Sequence, residues 1–140
     1  MPLYPAATPA NNNVSRSSES ITVSAPLANN SYQLIDVVLA KSFLLLAINC
    51  PIAARIRLYF DNVSRASDLS RVIGSDADSS IAIIAEVITS ASLQTINLAP
   101  CASGFNANTT NPYYLSFTNL SGSAINSDID FNLTYLILES

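Results

Sequence analysis

Residues 111–138, NPYYLSFTNLSGSAINSDIDFNLTYLIL, decide the fold. In the second half of this stretch Ile129, Phe131, Leu133, Tyr135 and Ile137 take every other position, and Asp130, Asn132 and Thr134 fill the gaps. A period of two belongs to a strand with one face on a core and the other in water. Tyr113, Leu115 and Phe117 repeat the pattern in the first half, with the turn residues Asn119-Leu120-Ser121-Gly122-Ser123 between the halves. The stretch therefore predicts a hairpin of two long strands whose odd-numbered residues point inward.

Working outward, the same signature recurs along the chain. Residues 20–25 place Ile21 and Val23 on one face, residues 32–39 alternate, and residues 42–48 are apolar on both faces, as suits a strand covered from both sides. Residues 54–60 set Ala54, Ile56, Leu58 and Phe60 against Arg55, Arg57 and Tyr59. Residues 81–89 and 93–98 add two runs rich in Ile, Val and Leu. Residues 32–48 read either as a hairpin or as one bent strand, because Ala40-Lys41-Ser42 is a weak turn. Residues 64–71 form the one helical turn, with Ser64 as N-cap and Arg65, Asp68 and Arg71 at three-residue spacing on one face. Residues 99–112, with two prolines, Gly104 and three asparagines, predict the longest loop of the body.

Eight strand-like runs and no long helix predict an all-β chain, a two-sheet antiparallel β-sandwich of jelly-roll or immunoglobulin-like kind. Its body spans residues 19–140. Residues 1–18 carry Pro2, Pro5 and Pro9, three consecutive asparagines and no apolar period, so they predict an extended arm that adds no strand to its own sandwich and reaches another subunit.

Composition excludes several roles. The 140 residues are 49% apolar, enough for a single core, yet only 11% charged against about 25% in ordinary globular domains, so neutral hydroxyls and amides must solvate the surface. A net charge of −4 argues against nucleic acid and anionic membranes as partners, since binding phosphate requires a basic stripe. The longest apolar run, residues 43–48, is far below the ~20 residues of a bilayer span. Met1-Pro2-Leu3-Tyr4-Pro5 shows neither the cationic region nor the apolar stretch of a secretory signal. Without that signal, the Asn-x-Ser/Thr triplets reflect an Asn- and Ser-rich composition rather than glycosylation. Cys50 and Cys101, each beside a proline, read as two free thiols or as a disulfide between loops.

No cofactor, metal or catalytic constellation emerges, and the expectation is a protein that is not an enzyme. The absence of histidine removes the commonest general base and zinc ligand, and three glycines cannot build a phosphate cradle. Asp76-Ala77-Asp78-Ser79-Ser80 imitates the opening of a calcium loop, but Ile81 and Val87 stand where that loop needs glycine and glutamate. Asp128 and Asp130 share a strand face without any sign of the burial that a glycosidase carboxylate requires. The cationic groups are more informative. Arg55, Arg57, Arg65 and Arg71, four of the six basic residues, fall within seventeen positions. They read either as a docking patch whose guanidinium forks meet a partner's carboxylates, or as internal partners of Asp61 and Asp68.

The segments Ala54-Arg55-Ile56-Arg57-Leu58-Tyr59, Arg65-Ala66-Ser67-Asp68-Leu69-Ser70-Arg71, Ile83-Ile84-Ala85-Glu86-Val87 and Phe117-Thr118-Asn119-Leu120-Ser121-Gly122, in this order before a final alternating strand, resemble small β-sandwich virion proteins of tailed bacteriophages. The resemblance covers about residues 30–138. It implies a structural protein of the virion, made in the host cytoplasm. Head decoration (cement) on the major capsid protein is the foremost role, and a tail, baseplate or fibre component the alternative. It further implies a homo-oligomer, often a trimer, with an N-terminal arm latching onto the next subunit. Tyr4 and Pro5 are then candidate docking residues beside the four arginines. A carbohydrate-binding module that reads a host surface is the competing class, supported by Tyr113-Tyr114 beside the long loop.

Overall fold

The computed structural model describes residues 14–90, 92–106 and 112–140. Among them lie β1 (Ser15–Val23), β2 (Tyr32–Val38), β3 (Ser42–Cys50), β4 (Ala54–Tyr59), β5 (Ile83–Ile88), β6 (Gln94–Phe105), β7 (Pro112–Asn119) and β8 (Ile129–Glu139), with one helix, α1 (Asn62–Asp68), between β4 and β5. The strands form two antiparallel sheets in the orders β1-β8-β3-β6 and β2-β7-β4-β5. The pairs β1·β8, β2·β7, β3·β6 and β4·β5 are nested, so the chain is one long antiparallel ribbon, doubled back around α1 and rolled until successive pairs fall in alternate sheets. This is jelly-roll topology, which decides between the two sandwich types that the alternation allows.

The inner faces meet in one core. Phe131, Leu133 and Tyr135 of β8 and Tyr113, Leu115 and Phe117 of β7 are buried, as the period of two predicts. Phe117 stacks on Phe131 with centroids 5.3 Å apart. Phe43 meets Tyr113 and Tyr135 edge-on at 5.0 and 5.8 Å, arrangements that aromatic quadrupoles favour. The Tyr113 hydroxyl donates to Ala40 O at 2.7 Å, and burial pushes its pKa up to about 12. Gly104 lies opposite Phe43, whose ring occupies the space that any Cβ would need.

Five expectations give way. β7 and β8 do not form a hairpin: they lie in different sheets, and the loop between them crosses the core edge, tied by the Leu27–Ile125 bridge. Alternation reports which face is buried, not which strand pairs, and a nine-residue connection suffices to span the ~10 Å between sheets. Residues 32–48 are neither hairpin nor bent strand, because β2 and β3 also sit in opposite sheets around the corner at Ala40 and Lys41. Most of the expected loop 99–112 is strand. β6 runs to Phe105 along the sheet edge, and its ladder skips from Asn97 to Ala102, a bulge that accommodates Pro100. Ser15–Ser18 of the expected arm belong to β1 and pair with Thr134–Ile137, so the body begins by residue 15. The remainder of the arm, with Tyr4 and Pro5, lies outside the described residues. The helix starts earlier than expected, with Asp61 as its N-cap accepting from Ser64 N at 2.7 Å.

Cys50 and Cys101 are both free. Cys50 pairs with Gln94, whereas Cys101 sits in the bulge beyond Asn97, several residues along the same ladder. At ~3.3 Å per residue that exceeds the ~7 Å limit for bridging two Cα atoms.

The register makes a quantitative expectation. Phe131→Ala should destabilise the fold by about 3 to 5 kcal/mol, measured by chemical denaturation, because it removes a fully buried ring and leaves a cavity. Asp130→Ala loses an exposed hydrogen bond from Thr22 and should cost under about 1 kcal/mol. Equal losses would mean that the two faces of β8 are exchanged.

Candidate functional site

β4 alternates as its sequence predicts, with Ala54, Ile56 and Leu58 in the core and Arg55, Arg57 and Tyr59 on the opposite face. That opposite face is nevertheless dry. Arg55 is 4% exposed, Arg57 1% and Tyr59 0%, because residues 60–82, including α1, fold back over the sheet and bring Asp68 and Arg71 onto it. Asp61 ends the preceding strand and starts the helix. Ser64 then fastens the far end of the connection by accepting from Ala82 N at 2.8 Å.

The result is a buried layer of charge. Arg57 Nη1 donates to Asp68 O at 2.8 Å and stands 3.5 Å from Asp68 Oδ2, and its Nη2 donates to Ser116 Oγ at 3.3 Å. Tyr59 donates its hydroxyl proton to Asp68 Oδ2 at 2.5 Å. Arg71 grips Asp68 with two parallel bonds, Nε to Oδ1 at 2.7 Å and Nη2 to Oδ2 at 2.9 Å, the bidentate geometry that only guanidinium offers. Glu86 of β5, opposite Arg57 in register, accepts from Arg71 Nη2 at 2.7 Å and from Arg55 Nε at 2.9 Å. Arg55 Nη2 is 2.8 Å from the same Glu86 oxygen, an ion-pair distance outside hydrogen-bond geometry. Arg57 Nε has no hydrogen-bond partner among the described residues either, so two buried guanidinium nitrogens of the layer, Arg55 Nη2 and Arg57 Nε, are unsatisfied.

Ionisation follows from these contacts. Burial alone would raise the Asp68 carboxyl, but hydrogen bonds from Arg71 and Tyr59 and the charges of Arg71 and Arg57 outweigh it and hold the group below its ordinary range. Glu86 is likewise opposed by burial yet lowered by Arg71 and Arg55. Burial pushes Tyr59 up, and its bond to Asp68 adds to the shift. Arg57 is lowered by desolvation, while Arg71 is raised, chiefly by its bonds to Asp68.

Three of the four sequence-predicted arginines therefore converge, in a buried layer and not on an exposed patch. Arg55, Arg57 and Arg71 are spent inside the layer. Arg65 reaches the β2 side of the same sheet, where its Nη1 pairs with Asp36 at 2.8 Å and donates to Ile35 O at 3.2 Å and to Leu115 O at 3.3 Å, with its guanidinium 5.2 Å from the Tyr114 centroid. It has no bond to Asp68 or Glu86 and stands apart from their network. Asp68 is the internal partner expected, whereas Asp61 serves as the cap. Tyr59, Ser116 and Glu86 were not singled out by sequence reasoning. Glu86 carried a usable signal: a lone acid in an apolar run, Ile83-Ile84-Ala85-Glu86-Val87, is costly to bury unless a cation meets it.

Chemistry finds little purchase here. An open groove of about 300 Å³ runs beside Arg71, Ser75, Asp76 and Glu86, but every nitrogen of the Arg71 guanidinium is already engaged by Asp68, Ser75 O or Glu86. In the calcium-like stretch, Asp78 Oδ1 accepts from both the backbone N–H and the hydroxyl of Ser80. Asp130 accepts from the Thr22 hydroxyl and so fastens β8 to β1, and Asp128, just before β8, accepts from Ala25 N just beyond β1. Tyr113 is core and Tyr114 lies under Arg65, which withdraws the aromatic pair that supported sugar binding. No helix among the described residues is long and apolar enough to cross a membrane.

The outer face of the other sheet is open. Register aligns Ser20, Asn132, Asn49 and Thr95 in one cross-strand row and Ser18, Thr134, Ala47 and Asn97 in the next. Asn49 donates to the Thr95 hydroxyl at 2.7 Å. No charge interrupts these rows, which span all four strands; Arg16 and Asp130 stand in the rows on either side. Comparison with known proteins found no matching family model and no matching curated protein.

Two measurements test the buried layer. Asp68→Ala should cost about 3 to 5 kcal/mol in denaturant, because it strands Arg57 and takes from Arg71 its bidentate partner, whereas Asp36→Ala, which removes an exposed carboxylate, should cost at most about 1 kcal/mol. The folded pKa values of Asp68 and Glu86 lie below the unfolded ones, so their contribution is complete above the ordinary carboxylate range and is lost as pH falls through the folded values. The wild-type melting temperature should therefore fall on acidification below about pH 4, and Asp68→Asn should flatten that fall.

Proposed function

We propose that this chain is a structural virion protein of a tailed phage, a head decoration (cement) protein that lies against the capsid lattice and acts as part of a homo-oligomer. The single observation that carries the reading is the pair of uncharged rows on the outer face of the β1-β8-β3-β6 sheet, which cross all four strands and hold Ser, Thr or Asn at every position but Ala47. Such a face gives up little hydration energy on contact, since neutral hydroxyls and amides exchange water for protein partners at small net cost. The resemblance of segments within residues 30–138 points to the same class. The major capsid protein is the foremost partner. Residues 1–13, with Tyr4 and Pro5, are a second candidate contact to a neighbouring virion subunit, and the virion is the proposed location. A tail or baseplate position is served by the same face.

Thr134→Arg, which introduces charge in the middle of a neutral row, should abolish attachment to particles assembled without the protein while leaving the melting temperature unchanged. Full occupancy by a normally folded Thr134→Arg variant would overturn the reading.

A further inference from the structure

A sandwich closed by two four-stranded sheets has four edge strands, here β1, β6, β2 and β5. Each edge exposes unpaired backbone groups, and proteins that remain apart blunt such edges with charges, prolines, bulges or short strands. Three of the four are blunted. β1 carries Arg16 outward and Glu19 on its inner face. β6 is broken by its bulge around Pro100. β5 is only 6 residues long, has a register shift against Tyr59 and bears Glu86.

Of these protections β2 has only one charge, Asp36. Its seven residues pair with β7 in unbroken register and contain no proline, lysine or bulge. Its outward face shows Tyr32, Leu34 and Val38 at 49%, 43% and 63% exposure. Its one charge, Asp36, is already paired with Arg65. Beside it, between β2 and β1, opens a groove of about 360 Å³ whose lining includes Ile21, Ile35, Val37 and Val38 together with the acids Glu19 and Asp36. Among the described residues nothing pairs with this edge.

We infer that β2 is a homotypic docking edge, on which β2 of a second copy of this chain adds antiparallel, joining two β2-β7-β4-β5 sheets into one eight-stranded sheet about a twofold axis at Ile35. The pattern of β2 selects this occupant. Full overlap of the seven residues sets Tyr32 against Val38 of the second copy, Leu34 against Asp36, Gln33 against Val37, and Ile35 against itself. The four exposed apolar side chains at the two ends meet in two pairs, and no like charges oppose, since each Asp36 arrives with its own Arg65 and faces leucine. Inner-face residues stay on the inner face, so each half-buried Ile35 is covered beside the groove. A twofold contact of this kind needs one surface complementary to itself, which β2 provides. The inference does not rest on the virion reading.

Sedimentation of the full chain across a concentration series tests it. The wild type should form a reversible dimer, and Leu34→Lys, which places an exposed charge on the edge without touching the core, should weaken dimerisation at least tenfold with an unchanged melting temperature. Ser18→Lys on the β1 edge should dimerise as the wild type does. Hydrogen exchange at the β2 amides should slow as the dimer fills. A wild type that stays monomeric into the hundreds of micromolar, or a dimer or trimer indifferent to Leu34→Lys, would overturn the proposal. If deletion of residues 1–13 exposed a dimer absent in the full chain, the occupant would be the chain's own N-terminus and not a second copy.

Discussion

The Asp68 carboxylate, held by both arms of Arg71 and by the Tyr59 hydroxyl above Arg57, is the contact on which the outer half of this molecule depends. Without it, residues 60–82 would keep only the Arg71–Glu86 pair, the Asp68 and Arg71 carbonyls and the Arg65 contacts as polar anchors on the sheet, and Arg57 would lie buried with no carboxylate beside it. With it, that face is covered and β4 is buried on both sides. Such a layer is an expensive way to hold a connection. Taking guanidinium and carboxylate out of water costs several kcal/mol per ion, and their attraction recovers this only with near-complete hydrogen bonding. What the layer supplies is specificity. An apolar loop could settle on the sheet in several registers, whereas the bidentate grip of Arg71 on Asp68 and the pairing of Arg57 with the Asp68 carbonyl admit one placement of α1.

Burial periodicity made the fold class legible and left the connectivity hidden. Each of the eight runs became a strand, and Phe131, Leu133 and Tyr135 face the core, because a period of two records the side of the sheet on which water lies. The partner of each strand leaves no such record. β7 and β8 look like a hairpin in sequence, yet each pairs across the whole fold, β8 with β1 and β3, β7 with β2 and β4. Pro100 and Gly104 read as loop residues for sound local reasons, but an edge strand tolerates the first in a bulge and the second under the Phe43 ring.

The arginine cluster shows the same division at the level of a site. Its existence was legible from spacing, and Asp68 was a correct internal partner. Its setting was not, because whether a polar strand face meets water or another layer depends on a connection that packs on it from elsewhere in the chain. Covering that face also decides what remains for contact. Among the described residues, two uncharged rows rich in Ser, Thr and Asn on the outer sheet face and the edge of β2 remain exposed, while Arg55, Arg57 and Arg71 are locked inside.

The central claim, that Arg57 and Asp68 are bound into one buried unit that fixes the β4–β5 connection, is tested most directly by a double-mutant cycle with Arg57→Met, Asp68→Leu and the pair together, read by denaturant unfolding. Removing Asp68 alone strands Arg57, whereas without Arg57 the carboxylate keeps Arg71 and Tyr59, so the double variant should be more stable than Asp68→Leu alone, with a coupling energy of about 2 kcal/mol or more. Losses that simply add would contradict the account.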